Sequence, residues 1–352
     1  MQPKRLSSLL TLSLVVCLLI SSCRLNRTPN RPAKEPTPSV ATTQVAEPSS
    51  TSAPEALTFQ VGRNDYVINV DDTPREFIVY VPVGYDPAKP TPVVFIFHGT
   101  NGTGETMYEK TSWVRKADEV TAIVIFPSSW HYFLIKENAN SKKWNDAQLS
   151  NLTGPTADLK DDVKFTREML KLVQATFNVD EKRIYASGFS NGGKFVDTRL
   201  MIEMNDVFAA FTTSGTGTYF HEEGFAAAMP PKASTSLYSI MGTMEELVSE
   251  GYGIPMPFPF EAEDLLADKV FGGMLFNLAT YLNLDPNVYQ VLQPRPNYTV
   301  FVFDQSLTGA DNEFIFQMVK DMIHVYPSGN LYPKELDAAD VFWKFFERHP
   351  LK

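Results

Sequence analysis

The chain has 352 residues, of which 43% are hydrophobic, 12% aromatic and 20% charged. That composition fits a globular body with a large core and excludes a disordered or fibrous chain. A formal net charge of −10 excludes nucleic acid as the main partner, because such binding depends on clustered Lys and Arg.

The charge is unevenly placed. Residues 1–56 carry six basic and three acidic side chains, a net of +3, which leaves −13 on the remainder. Lys4 and Arg5 precede a run from Leu9 to Ile20 that is apolar apart from Thr11 and Ser13. A charged start followed by such a run reads as a signal peptide, shorter than the roughly 20 residues a membrane-spanning helix needs. It ends Leu19-Ile20-Ser21-Ser22-Cys23, which resembles the bacterial lipoprotein signal, in which a cysteine after small residues is lipidated. An ordinary signal peptide with a chance Cys23 is the plainer alternative. Cys17 and Cys23 are the two cysteines of the chain, so no disulfide and no Cys-based metal site is expected beyond them.

Residues 24–56 hold six prolines and nine Ser or Thr, too little apolar surface to offset ordering entropy. The expected organisation is therefore a leader at 1–22, a lipidated Cys23 with an extended tether to 56, and one folded domain at 57–352. The expected location is extracytoplasmic, on a membrane through the anchor.

From Leu57 onward apolar runs alternate with helical patterns. Phe77–Val81, Val93–Phe97 and Ala122–Phe126 are strand candidates, the latter two apolar throughout, as in strands covered on both faces. Glu105–Val120 and Asp158–Phe177 read as helices, the second with acidic residues in its first turns. Arg183–Ser187 is a short strand, followed by a glycine-rich turn and a helix over Asn191–Met204. Phe208–Thr213, Leu237–Met241 and Thr299–Phe303 are further strands, and Pro333–Glu347 reads as an amphipathic closing helix with Val341, Phe342, Phe345 and Phe346 inward. This alternation predicts a mostly parallel sheet flanked by helices. Residues 250–293, rich in Pro, Gly, Phe and Met, break the alternation and are expected to form an inserted cap or lid.

Gly188-Phe189-Ser190-Asn191-Gly192-Gly193 lies between a predicted strand and a predicted helix, the setting of a nucleophile elbow. Glycines there allow a tight, strained turn that exposes the Ser190 hydroxyl at a helix N-terminus, where negative charge is favoured. The structural alternative is a tight turn alone.

A serine needs a base. Of His98, His131, His221, His324 and His349, His324 follows the last predicted strand and is the expected base. His221 comes too early, His349 sits at the end of the closing helix, and His98 reads as structural. The acid should lie just past the strand Leu237–Met241, where Glu245 is the first carboxylate. Glu246 is its near competitor, Asp304 a distant one, and Asp321 reads as a loop residue. The oxyanion is expected to meet the backbone N–H groups of Asn191 and Thr100. Trp130 and Trp144 are expected to line an apolar acyl slot. No metal or other cofactor is expected.

The set His98-Gly99, Trp144-Asn145, Asp161-Asp162, Val179 to Tyr185, the Ser190 elbow, Gly242-Thr243 and His324 with Pro327 resembles the polyhydroxybutyrate depolymerase and feruloyl/acetylxylan esterase group. The resemblance covers roughly residues 75–350 and implies an α/β-hydrolase fold. It also implies hydrolysis of small or oligomeric carboxylic esters through an acyl-enzyme on Ser190, with His324 as base. The chain departs from the group at Glu245, where an Asp is usual, and after His324, where the group often has a tryptophan. Segment 250–293 is also poorly matched. An acyltransferase with the same three residues and a non-catalytic, lipid-anchored binding protein are the competing readings.

Overall fold

The computed structural model describes residues 56–218, 234–329 and 336–352. Cys17, Cys23, most of the Pro/Ser/Thr-rich segment and His221 lie outside the described residues. In chain order the strands are β1 (Gly62–Val70), β2 (Thr73–Val81), β3 (Thr91–Phe97), β4 (Ile123–Pro127), β5 (Trp130–Leu134), β6 (Ala139–Lys143), β7 (Val179–Phe189), β8 (Ala210–Ser214), β9 (Leu237–Met244), β10 (Gln290–Leu292), β11 (Tyr298–Phe303) and β12 (Phe314–Ile323).

Ten of them form one sheet in the order β1-β2-β4-β3-β7-β8-β9-β12-β11-β10, and β5 and β6 form a separate hairpin. The centre, β4-β3-β7-β8-β9-β12, is parallel, and both margins are antiparallel. The mostly parallel sheet flanked by helices, read from the alternation of elements, is the one observed.

Strand β3 explains why its sequence is apolar throughout. Val93, Phe95 and Phe97 join the core on one face, and Val94 and Ile96 join the core on the other. Side chains alternate across a strand, so two buried faces require an unbroken apolar run. The first face is covered by the helix Asp162–Thr176, through Phe165, Met169 and Val173, and by the helix Lys269–Tyr281. The second is covered by Trp113, Phe342 and Phe346 from the helices Trp113–Val120 and Ala338–Phe346. Each such large side chain contributes about 1.5–3 kcal/mol when fully buried.

Several elements differ from expectation. The helix expected over 105–120 is two, Gly104–Lys110 and Trp113–Val120. The break falls where the Thr111 hydroxyl bonds back to the Met107 carbonyl and the Ser112 hydroxyl reaches the Ser328 carbonyl. Segment 250–293 also divides. Its first part passes the acid loop, with the Phe258 N–H donating to the Thr243 carbonyl at 2.8 Å. Its second part, the helix Lys269–Tyr281, buries Phe271 and Leu275 completely in the main core, so it flanks the sheet and does not stand over it as a cap.

Strand β12 was not anticipated. It carries the chain directly to His324, pairing in parallel with β9 up to Met244. The closing helix is described over Ala338–Phe346, capped by the Asp337 carboxylate on the Ala339 N–H.

Candidate active site

Strands β7, β9 and β12, with β8 between the first two, are parallel and end at the same edge of the sheet, and each delivers one residue. Ser190 follows β7 with φ 53° and ψ −119°. A serine with positive φ is strained, at a cost of order 1–3 kcal/mol, and needs close packing to hold it. That packing is visible in the glycines. A Cβ on Gly192 would lie 2.4 Å from the Phe97 carbonyl oxygen, and one on Gly188 would lie 2.4 Å from the Gly192 oxygen. The turn is therefore pressed onto the end of β3, and the Ser190 N–H donates to the Ser214 carbonyl at 2.9 Å.

The Ser190 Oγ lies 2.9 Å from His324 Nε2, and His324 Nδ1 lies 2.5 Å from Glu245 Oε2. Glu245 is fully buried, and its other oxygen accepts the Gly242 N–H at 3.3 Å. Burial pushes the Glu245 carboxyl above its ordinary pKa, while the hydrogen bond and charge of His324 pull it down. The Glu246 carboxylate does different work, accepting the backbone N–H of His324 at 3.1 Å. Asp304 meets Gln290 in an exposed position, and the Asp321 N–H donates to the Thr243 hydroxyl.

Asn191 and Thr100 flank the serine. Their backbone N–H groups have no acceptor among the described residues. A Cβ on Gly99 would lie 3.1 Å from the Ser190 Cβ, so the turn bearing Thr100 comes directly against the nucleophile loop. The Asn191 side chain is locked from two sides. Its Oδ1 accepts the Trp144 N–H at 2.7 Å and its Nδ2 donates to Asp146 Oδ2 at 2.8 Å. Asp146 and this clamp escaped the sequence reading, because an Asp twelve positions before the next predicted element carries no spacing signal.

Trp144 is corrected by the structure. It was expected to line an acyl slot, but it is fully buried, stacked on Phe195 and edge-on to Phe97, with Nε1 donating to the His98 carbonyl. It is a pillar under the elbow and has no surface to offer a substrate. Trp130 is half-buried on β5, stacked on His131. His98 is buried with backbone partners on both nitrogens: Nδ1 donates to the Gly99 carbonyl and Nε2 accepts the Ser129 N–H. Burial lowers its pKa to about 4, so it is neutral near pH 7.

Where the resembled group often has a tryptophan after the histidine, this chain has Tyr326, which is buried. It accepts the Trp113 indole N–H at 2.7 Å and packs edge-on against Phe189. A cavity of 1340 Å³ lies elsewhere, between β11, β12 and the closing helix, and is lined by none of Ser190, Glu245 and His324.

Residues 69–197 match the Esterase family. That segment runs from the end of β1 through the elbow into the helix after Ser190. Feruloyl esterase B of Piromyces equi is 30% identical over 140 residues, which is 40% of this chain and 24% of that protein. Oxidized polyvinyl alcohol hydrolase of a Sphingopyxis strain is 21% identical over 57% of this chain and 51% of its own length. The chain thus spans about half or less of these curated relatives. The solved acetyl xylan esterase from Aspergillus awamori superposes with a TM-score of 0.52 at 15% identity, covering 80% of this chain and 99% of that one. The likeness is one of fold, and the fold is the α/β-hydrolase kind that the Ser190 motif implies. Similarity to esterases, expected from the motifs, is found over part of the chain.

Proposed function

We propose that the protein is a serine carboxylic-ester hydrolase that works through an acyl-enzyme on Ser190. The observation that carries this reading is the continuous hydrogen-bonded line from Ser190 Oγ through the His324 ring to Glu245. The match of residues 69–197 to the Esterase family supports it independently. Nε2 of His324 takes the serine proton as Oγ attacks the ester carbonyl carbon, and Glu245 stabilises the imidazolium that results. The carbonyl oxygen becomes an oxyanion facing the N–H groups of Asn191 and Thr100. Collapse breaks the bond to the alcohol, which leaves with the proton from His324. Water, activated by the same nitrogen, then releases the acid and restores the hydroxyl.

Ser190→Ala and His324→Ala should each lower hydrolysis of a p-nitrophenyl short-chain ester by about 10⁴-fold or more while circular dichroism stays unchanged. Near-wild-type turnover by either variant would refute the assignment. The reading extends to place. A lipidated Cys23 would tether the enzyme to the outer side of a membrane, and Cys23→Ala should then move it from the membrane fraction to the soluble one. Unchanged partition would remove the anchor.

A further inference from the structure

Among the described residues, two ammonium groups on segments that pack around the nucleophile form no ion pair. Lys143 ends β6, is half-buried, and its Nζ donates to the Thr100 hydroxyl at 3.1 Å. The backbone zips the same two segments together, since the Asn101 N–H meets the Lys142 carbonyl at 2.9 Å and the Lys142 N–H meets Asn101 Oδ1 at 3.1 Å. Lys143 is therefore fixed on the turn that packs against Ser190. Lys194 stands one helical turn after the nucleophile, with its N–H donating to the Ser190 carbonyl at 2.9 Å. Its ammonium lies 5.0 Å over the ring of Tyr252, on the helix whose first residue, Glu246, holds His324.

Among the described residues neither lysine has a carboxylate within ion-pair reach. The near acid, Asp146, is already bound by Asn191 Nδ2 and the Gln148 N–H. Burial lowers the pKa of Lys143, the charge of Asp146 works against that shift, and the charge of Lys194 adds to it. Two half-buried ammonium groups without an ion pair among the described residues make a place where an anion is favoured, even in a chain of net charge −10.

We propose that Lys143 and Lys194 form an anion subsite beside Ser190, and that the preferred substrate is an ester carrying a carboxylate a few carbons from the scissile carbonyl. This inference rests on the esterase reading. A carboxylate held by both cations would seat the carbonyl between Ser190 and the Thr100 turn. It would also draw the substrate in against the field of an acidic body.

The test compares mono-p-nitrophenyl succinate with p-nitrophenyl butyrate, which has similar length and no charge. The wild type should favour the succinate in kcat/KM by about tenfold or more at low salt. That preference should shrink at about 0.5 M salt, where charges are screened over a few ångströms. Lys143→Met and Lys194→Met should each lower the succinate-to-butyrate ratio. A merely structural role, acting through Thr100 or Tyr252, would lower both esters together and keep the ratio. A wild-type preference for butyrate, or a ratio unmoved in both variants, overturns the subsite. Should the wild type hydrolyse neither ester, the esterase reading fails and the subsite is judged by calorimetry of succinate with Ser190→Ala. Binding lost on adding Lys143→Met upholds it, and no binding overturns it.

Discussion

Glu245 and Glu246 are neighbours in sequence and hold the same histidine by different atoms. Glu245 meets the ring nitrogen of His324, and Glu246 meets its backbone N–H. The consequence is a division of labour that mutation can separate. Glu245→Gln keeps an acceptor but loses the charge that stabilises the imidazolium, and should lower kcat by about 10³- to 10⁴-fold. Glu246→Gln still offers an oxygen to the N–H, and should cost no more than about tenfold. Steady-state kinetics on a p-nitrophenyl ester decide the matter, and the reverse order would move the acid role to Glu246. Sequence order alone kept both glutamates open, since adjacent residues at a strand end differ only in where the following helix turns them.

At the scale of elements, the strands that could be read were those buried on both faces. Val93–Phe97 and Ile123–Phe126 are apolar because no position along them meets water. Strand β12 hid behind polar letters. Its Gln317 is buried because it accepts the Tyr238 hydroxyl at 2.6 Å, and Lys320 and Asp321 emerge where the register with β9 shifts. The hairpin β5–β6 reads Ala-Asn-Ser-Lys-Lys on its second strand and is held by pairing, which leaves no apolar period to detect.

The helix after Ser190 hides a second surprise, a π-helical turn over Val196–Leu200. Such turns widen a helix locally. Here the turn carries the fully buried Asp197, whose carboxyl is pushed up to about 8 by burial against a hydrogen bond from Thr218. The folded state therefore keeps a proton that the unfolded chain loses near its ordinary value of 3.8. Stability should fall as pH rises from about 4 through about 8, by up to about 1.4 kcal/mol per pH unit from this group. Asp197→Asn should flatten that slope in urea unfolding between pH 5 and pH 9. An unchanged slope would show that the carboxyl is ionised in the folded protein.

In the whole molecule, both ends of the described body lie far from the chemistry. The Leu57 N–H donates to the Thr176 hydroxyl, just before β7 begins, and the Leu351 N–H donates to the Lys182 carbonyl within its first residues. Ser190 stands at the other end of that strand, whose 11 residues span about 36 Å. The fold therefore has a mounting side and a working side. A bulky carrier joined ahead of Leu57 or behind Lys352 should leave kcat/KM unchanged within about twofold, even when the carrier is a bead or a solid film. Attached by either terminus, the body presents the Ser190 edge of its sheet outward, toward whatever surface lies opposite.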